Sequence, residues 1–507
     1  MSIKRYTAYK DNTITNAFKT DLIKRGTGSN MGAADSLEVF SIYGQQSAES
    51  NEQSKILIQF PVSSSDAGTT ILADRTSGKI PVSGNVNFFL RMFNVVHDQT
   101  VPRDFTLVVS PISQSWQEGD GLDMEGYSDE TYNGTGSNWI NAEAATTWTN
   151  IDSKTLTGGS FLSASWNGSP TTPYDEFNYK KSFDSGIESL EVDVTGLVEQ
   201  WIIGTASTGY ENYGVGVFLT SSQESGSNRS YYTKKFSARS SEFFFNRPLI
   251  EARWDSTRKD HRGSFYVSSS VLNTADNLNT IYFYNYVRGQ AKNVENVGVH
   301  TPIYITLHTS RSAGEKLTAV GSGTVAYTSA VTGGYVTTGT YSASFALDTT
   351  ASVVYDRWFS GSAIYHTGSF EPISLTPSNM FDTVEYITSI TNLRTEYFNN
   401  DTTRLRLYTR ERNWNPTIYT VATTNIENSI IDDVYFKVFR VIDDKDVISY
   451  GTGSVNHTRL SYDVSGSYFD LDMSLLEIGY EYGIKFIFYT NGTYDEYNET
   501  FKFRVVE

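Results

Sequence analysis

The chain has no cysteine among its 507 residues. That absence excludes a disulfide framework and thiolate metal sites, and it fits folding in a reducing cytoplasm. Histidine is scarce as well. The six are His97, His261, His300, His308, His366 and His457. No two stand at the i, i+4 spacing of a helical metal site, and His300 and His308 lie near opposite ends of one strand region. No apolar run reaches the roughly 18 residues that a spanning helix needs, so no membrane partner is expected. Nor does an apolar run follow the charged opening MSIKRY, so a secretory leader is not expected. Positive charge is also in deficit. Forty Lys and Arg face 57 Asp and Glu, and the net charge of -17 repels a polyphosphate backbone, which argues against nucleic acid as a partner. There is no Gly-x-Ser-x-Gly elbow in a strand-to-helix setting and no phosphate-cradling glycine loop. No catalytic residue and no cofactor is therefore assigned, and a non-enzymatic protein is expected.

What the chain does contain is aromatic and turn-forming. Tyr 34, Phe 29 and Trp 8 against only 11 Pro describe short strands and tight turns, and hence an all-β protein. The most informative stretch runs from Leu190 to Gly204, LEVDVTGLVEQWIIG. Leu190, Val192 and Val194 alternate as in a strand. Thr195 is placed to cap one short helical turn, on which Leu197, Val198 and Trp201 share an apolar face. Gly204 ends the turn before a strand resumes at Val215. Leu197, Val198 and Trp201 are thus expected in the core, with the one-turn helix plugging a β-sandwich.

At this length two to four domains are expected, and three suggest themselves. Residues 1–255 end on the strand LIEARW, followed by the polar connector 256–263. Residues 265–372 carry the strands IYFYNYV and TPIYITL and a turn and strand within 336–347. After PISLTP, residues 380–507 carry strands at 404–408, 434–441, 468–471, 482–489 and 499–505. Asn491-Gly492 is a hairpin signal. The basic stretch RLRLYTRER, 404–412, reads as the solvated face of a strand. Asp432-Asp433 and Asp443-Asp444 read as turn and edge charges that discourage sheet-to-sheet association.

Six short motifs occur in order through the first half: DNTIT at 11–15, SNMG at 29–32 with SLEV at 36–39, KILIQF at 55–60, SWQE at 115–118, FSAR at 236–239 and RPLIEA at 247–252. In this order and spacing the segment resembles the DNRLRE family of carbohydrate-binding-module-like β-sandwiches. It departs from that pattern in a long acidic and aromatic insertion, about 119–183. The C-terminal segment, including FDLDMSLL at 469–476, is similar to the β-domains of tailed-phage virion structural proteins. The resemblance implies a jelly-roll-like sandwich followed by two Ig-like or fibronectin-like sandwiches. It further implies a non-enzymatic virion component of the neck, tail, baseplate or capsid surface, assembled in the host cytoplasm. Other virion proteins would be its partners, and it would form a homo-oligomer in the particle.

The alternative is a carbohydrate-binding adhesion module with a host glycan as partner. Trp139, Trp148 and Trp166 lie in the insertion amid Asn, Thr and Ser, and they are the candidates for glycan or subunit contact. The other reading is that these Trp pin the long loop to the sandwich or to a neighbouring subunit, and burial at a subunit contact is the preferred expectation. Glu118, Asp120 and Asp123 in EGDGLD form an oxygen-rich loop and the candidate calcium ligands, although the spacing is not that of an EF-hand.

Overall fold

The structure is a computed structural model, and it describes residues 2–43, 51–63, 69–97, 101–122, 126–132, 134–150, 152–162, 177–205, 209–224, 230–295, 297, 301–312, 314–321, 326–327, 330–374, 384–414, 418 and 428–507. The fold is β throughout, with only short helices among the described residues. It divides into two compact units, Ser2–Asp255 and Ser256–Glu507.

Among the described residues the first unit has thirteen strands. They are β1 (Ile3–Thr7), β2 (Lys10–Thr15), β3 (Ser36–Tyr43), β4 (Glu52–Gln59), β5 (Asn87–Met92), β6 (Phe105–Pro111), β7 (Asn141–Glu143), β8 (Thr146–Thr147), β9 (Tyr179–Phe183), β10 (Leu190–Asp193), β11 (Val215–Leu219), β12 (Ser230–Ser237) and β13 (Leu249–Arg253). A four-stranded sheet has the order β1-β13-β5-β10. A larger sheet runs β12-β3-β4-β11-β6-β9, with β2 also paired to β4. All these pairings are antiparallel.

The core between the two sheets takes Ile56 and Ile58 from β4, Leu107 and Val109 from β6, and Val215, Val217 and Leu219 from β11. Because side chains alternate along a strand, Leu57, Val108 and Phe218 point the opposite way. They too are buried, in a second core with Ile14, Ile112, Trp116, Trp139, Trp148 and Phe161. The large sheet is therefore covered on both faces, and its central strands read as continuous apolar runs rather than alternations. Gly216 lies under the Phe161 ring, and a Cβ there would overlap that ring.

The helix Thr195–Ile203 closes the main core with Leu197, Val198 and Trp201, all buried. It is nine residues long rather than one turn. Thr195 is not the cap. Val194 occupies the N-cap position without a side-chain bond, and Thr195 is the first helical residue. Its hydroxyl accepts the Phe88 N–H at 2.8 Å and donates to Asp193 at 2.6 Å, while the Asp193 carboxylate also accepts the Thr195 N–H. The Asp193 side chain, two residues earlier than the sequence suggests, thus supplies the acceptor at this helix start. Gly204 ends the helix with φ of 67° and returns its N–H to Gln200.

On the outer face of the four-stranded sheet, Glu251 is ringed by Arg5, Arg91 and Arg253. Burial alone would raise this carboxyl, and the three guanidinium groups overcome it and hold Glu251 well below the usual carboxylate range.

The second unit contains two sandwiches with separate cores. In the first, the strand Val331–Thr337 pairs with Ile303–His308 through Val331 to Gly333 and with Thr340–Leu347 from Gly334 onward, so one strand serves both sheets. Its core gathers Phe265, Ile281, Tyr341, Phe345 and Trp358. The last sandwich has a four-stranded sheet, in the order Tyr386–Ile390, Thr402–Glu411, Gly466–Asp472, Ser461–Asp463, facing a six-stranded one centred on Glu481–Thr490. Phe469 of the former stacks on Phe436 of the latter at 4.3 Å between ring centroids. The hairpin at Asn491-Gly492 forms with positive φ at both residues, and it leads into an extra short strand, Thr493–Glu496.

Truncation of Trp201, which is 2% exposed, should leave a cavity beside Leu197 and Val198. Trp201→Ala is expected to destabilise the first unit by about 3–5 kcal/mol, read as a lower urea midpoint. An unchanged midpoint would show that the helix does not plug the core.

Candidate functional site

After β6 the chain leaves the large sheet and returns as a layer laid over Leu57, Val108 and Phe218. Trp148 is fully buried and Trp139 is 8% exposed, both inside this second core. The Trp148 indole donates to the Asn138 carbonyl at 2.9 Å, and that of Trp116 to the Tyr213 carbonyl at 2.8 Å. For Trp139 and Trp148 this agrees with the pinning of the loop to its own sandwich and corrects the preference for a subunit contact. They pin the insertion to its own sheet and present neither an open glycan platform nor a subunit contact, because large aromatic rings are better buried at home once a bare apolar sheet face is available. Trp166 lies outside the described residues.

Two asparagines hold the same layer. Asn12 donates to the carbonyl and hydroxyl of Ser137, at 3.0 and 2.8 Å, and accepts the Met31 N–H. Asn30 donates to the carbonyls of Glu118 and Ser137 and accepts the N–H groups of Gly32 and Gly121. Gly121 is needed there, since a Cβ would overlap the Asn30 backbone carbonyl.

Of the candidate calcium ligands, Glu118 is already engaged. Both Glu118 oxygens bind the Arg239 guanidinium, at 2.5 and 2.7 Å, and one also accepts the Asp11 N–H. Asp120 is exposed and Asp123 lies outside the described residues. A guanidinium already neutralising Glu118 leaves that carboxylate no reason to take a cation. Among the described residues no group of three or more His, Asp or Glu is placed to hold a metal. Beside this pair, Asp11 is buried with one oxygen accepting the Arg239 N–H at 2.6 Å and the other without a hydrogen bond. Burial, with the nearby Glu118 charge adding to it, pushes its pKa up to about 7.

The densest polar constellation lies in the second unit, on the segment 256–264. Lys259 forms a parallel bridge to Tyr462, with Tyr462 N–H donating to Arg258 and Asp260 N–H donating to Tyr462. Arg262 reaches the other sandwich as a two-pronged pair with the fully buried Asp356, at 2.7 and 2.8 Å. Asp356 also accepts the Trp358 indole N–H at 2.7 Å. Between them, His261 Nδ1 accepts the Thr280 N–H at 3.0 Å, and Nε2 lies 2.9 Å from the Tyr462 hydroxyl. The Thr280 carbonyl lies 3.2 Å from the same nitrogen, so Nδ1 finds a backbone partner in either neutral tautomer. Burial lowers the His261 pKa and favours the neutral ring. A cleft of about 340 Å³ opens beside the ring, lined by Ser264, Tyr266, Leu272, Asn279, Ile430 and Asp432.

The basic stretch 404–412 is a strand face. Leu405 and Leu407 point inward, while Arg404 pairs with Asp470, Arg406 with Asp463 and Arg412 with Glu385. Asp433 takes Lys259 and Arg459, and Asp443 takes Arg440. Three features escaped sequence reasoning: the Arg262 and Asp356 pair, the buried Asp11, and a buried pair of Lys55 with Glu224. Only Lys55 left a trace in the sequence, as a charge opening the apolar run KILIQF.

No family model matches the chain, and no curated protein matches it. Among solved structures, the Yersinia pseudotuberculosis adhesin InvE is 10% identical over 42% of this chain, with a TM-score of 0.14. The chain spans about half of that one, 51%. DIP-gamma IG1+IG2 is 11% identical over 45% of this chain and 90% of its own, with a TM-score of 0.12. Salmonella alpha-2-macroglobulin reacted with methylamine is 7% identical over 94% of this chain and 26% of its own, with a TM-score of 0.14. Similarity at this level assigns neither family nor function.

The joint carries a pH dependence. Asp260 is 2% exposed, and desolvation pushes its carboxyl up to about 6 despite the nearby Arg262. A folded pKa above the unfolded one means that the native state binds the extra proton between about pH 4 and 6, so stability falls as pH rises through that window. Asp260→Asn should match the parent below pH 4. Above pH 6 it should gain on the order of 2–3 kcal/mol relative to it. Urea midpoints of both proteins across pH 4 to 7 test this, and a difference independent of pH would refute it.

Proposed function

We propose that the chain is a non-enzymatic structural protein of a tailed-phage virion. In this reading it is an adaptor or appendage of the neck, tail, baseplate or capsid surface that works through protein interfaces. The observation that carries the reading is the joint at 256–264, where one short segment is hydrogen-bonded into two successive sandwiches at once. Such a joint fixes the distance and orientation between two module surfaces, which is the property a spacer between neighbouring subunits needs. Surface composition is consistent with assembly. In the last sandwich, Ile442 and Phe398 are 77% and 57% exposed, and a groove of about 690 Å³ is lined by Val441, Ile442, Tyr480 and Phe503. The net charge of -17 keeps free subunits apart before assembly. The motif order in the first half and the C-terminal strands supply the resemblance to virion proteins. Other virion proteins are the partners, with copies of the chain assembling in the host cytoplasm into the particle. The glycan reading loses its main support with Trp139 and Trp148 enclosed in the chain's own core.

Quantitative mass spectrometry of density-purified particles tests the proposal. The chain should appear in fixed ratio to the other particle proteins, and the isolated chain should give no signal on a glycan array. Absence from the particles, or saturable binding to one polysaccharide, would overturn it.

A further inference from the structure

Lys55 and Glu224 lie beneath the insertion, with side chains 3% and 2% exposed. Alternation along β4 puts Lys55 on the same face as Leu57, so its ammonium group enters the aromatic second core. Nζ lies 5.3, 5.4 and 5.6 Å from the ring centroids of Phe218, Phe161 and Trp139. The nearest Glu224 oxygen is 3.9 Å from Nζ, beyond hydrogen-bond reach. Neither carboxylate oxygen makes a well-formed hydrogen bond among the described residues, the Leu219 N–H approaching only weakly. The main chain of Glu224 is nevertheless held firmly. Its carbonyl accepts the side-chain amides of Asn51 and Gln53, at 2.6 and 2.8 Å.

As an ion pair this arrangement is poor. Two desolvated charges face each other at 3.9 Å, and the carboxylate lacks the hydrogen bonds that normally compensate its burial. Burial lowers the Lys55 pKa and pushes that of Glu224 up to about 7, so both directions favour a neutral amine facing a neutral carboxylic acid. These are the reacting forms of an amide condensation, enclosed where bulk water does not compete.

We propose that Lys55 and Glu224 condense into an intramolecular isopeptide bond. A small rotation of the flexible Lys55 stem brings Nζ to the roughly 3–3.5 Å separation of a near-attack geometry. The Nζ lone pair attacks Cδ of Glu224 and the new N–C bond forms. The C–OH bond of the tetrahedral intermediate then breaks, and the hydroxyl departs with a proton from the nitrogen as one water. An amine and an acid are consumed, an amide and water are produced, and no oxidant or external co-reactant enters. Held side by side, the two groups react at a high effective concentration, and the neutral amide removes two ionisable groups from an apolar core. The bond ties β4 to the turn that follows β11, across two neighbouring strands of the doubly covered sheet. In a chain without cysteine it supplies a covalent tie that is insensitive to redox conditions.

Intact-mass measurement of the folded full-length chain, followed by denaturation and peptide mapping, decides the matter. The chain should be one water lighter than its sequence, with a branched peptide joining the Lys55 and Glu224 segments. Lys55→Arg and Glu224→Ala should each restore the full mass. A parent chain at full sequence mass overturns the proposal. So does a water loss mapped elsewhere, such as a succinimide at Asp120-Gly121. Because the parent chain alone gives both readouts, failure of a variant to fold leaves the test intact.

Discussion

The constraint on which the first unit depends is that one sheet must be covered on both faces. β4, β6 and β11 each place large apolar side chains on both sides, so a two-layer sandwich would leave Leu57, Val108 and Phe218 in water. At roughly 25 cal/mol per Å² of apolar surface, that exposure is costly enough to recruit a third layer. The insertion supplies it with Trp139, Trp148 and Phe161, which pack beside Trp116. Its length is therefore a consequence of the strands beneath it, and its tryptophans answer to the sheet before they answer to any ligand. Gly216 follows from the same demand, since the Phe161 ring must lie directly on the strand backbone.

In the second unit the organising contacts are polar. Each sandwich has its own apolar core, and what joins them is the segment 256–264 with its buried pair of Arg262 and Asp356 and its chain from Thr280 through His261 to Tyr462. Removing one partner of such a pair strands the other in low dielectric, so Arg262 and Asp356 are intolerant of single changes although the pair itself contributes modestly to stability. A cation at 262 and a neutral ring at 261 occupy adjacent residues. The first is held charged beside Asp356, and burial favours the neutral form of the second.

Much of the architecture was legible in the sequence, and the reasons are local. The β class follows from composition. The core roles of Leu197, Val198 and Trp201 follow from their spacing, and the Asn491-Gly492 turn follows from backbone chemistry that only such residues tolerate. The helix was misread in length because Ile202 and Ile203 continue it without a breaker until Gly204. Its start was misplaced because Asp193 and Thr195 are equally good local acceptors, and only the approach of Phe88 N–H from another strand assigns the Thr195 hydroxyl elsewhere. The insertion tryptophans were open to several readings for a different reason. Aromatic residues among Asn, Thr and Ser look alike whether they face water or a sheet, and the sheet face they cover is drawn from strands far away in the chain. Arg262 and Asp356 are likewise distant in sequence, and no local pattern marks either one.

The non-local polar contacts that sequence does not reveal are also those that make the fold unique. Apolar alternation forbids a strand slip of one residue, which would turn every core side chain outward, but it tolerates a slip of two. For β4, a slip of two would still pack an aliphatic face on each core. It would also move Lys55 out of the Phe161, Phe218 and Trp139 cage and away from Glu224, which costs far more than an exchange of aliphatic contacts. For β2, a slip of two would withdraw Asn12 from Ser137 and Met31 and leave buried amide groups without partners. Directional groups buried at single positions thus choose among registers that hydrophobic burial ranks as nearly equal. The apolar runs determine that a doubly covered sheet forms, and Asn12, Asn30 and Lys55 determine which alignment of its strands and its covering layer survives.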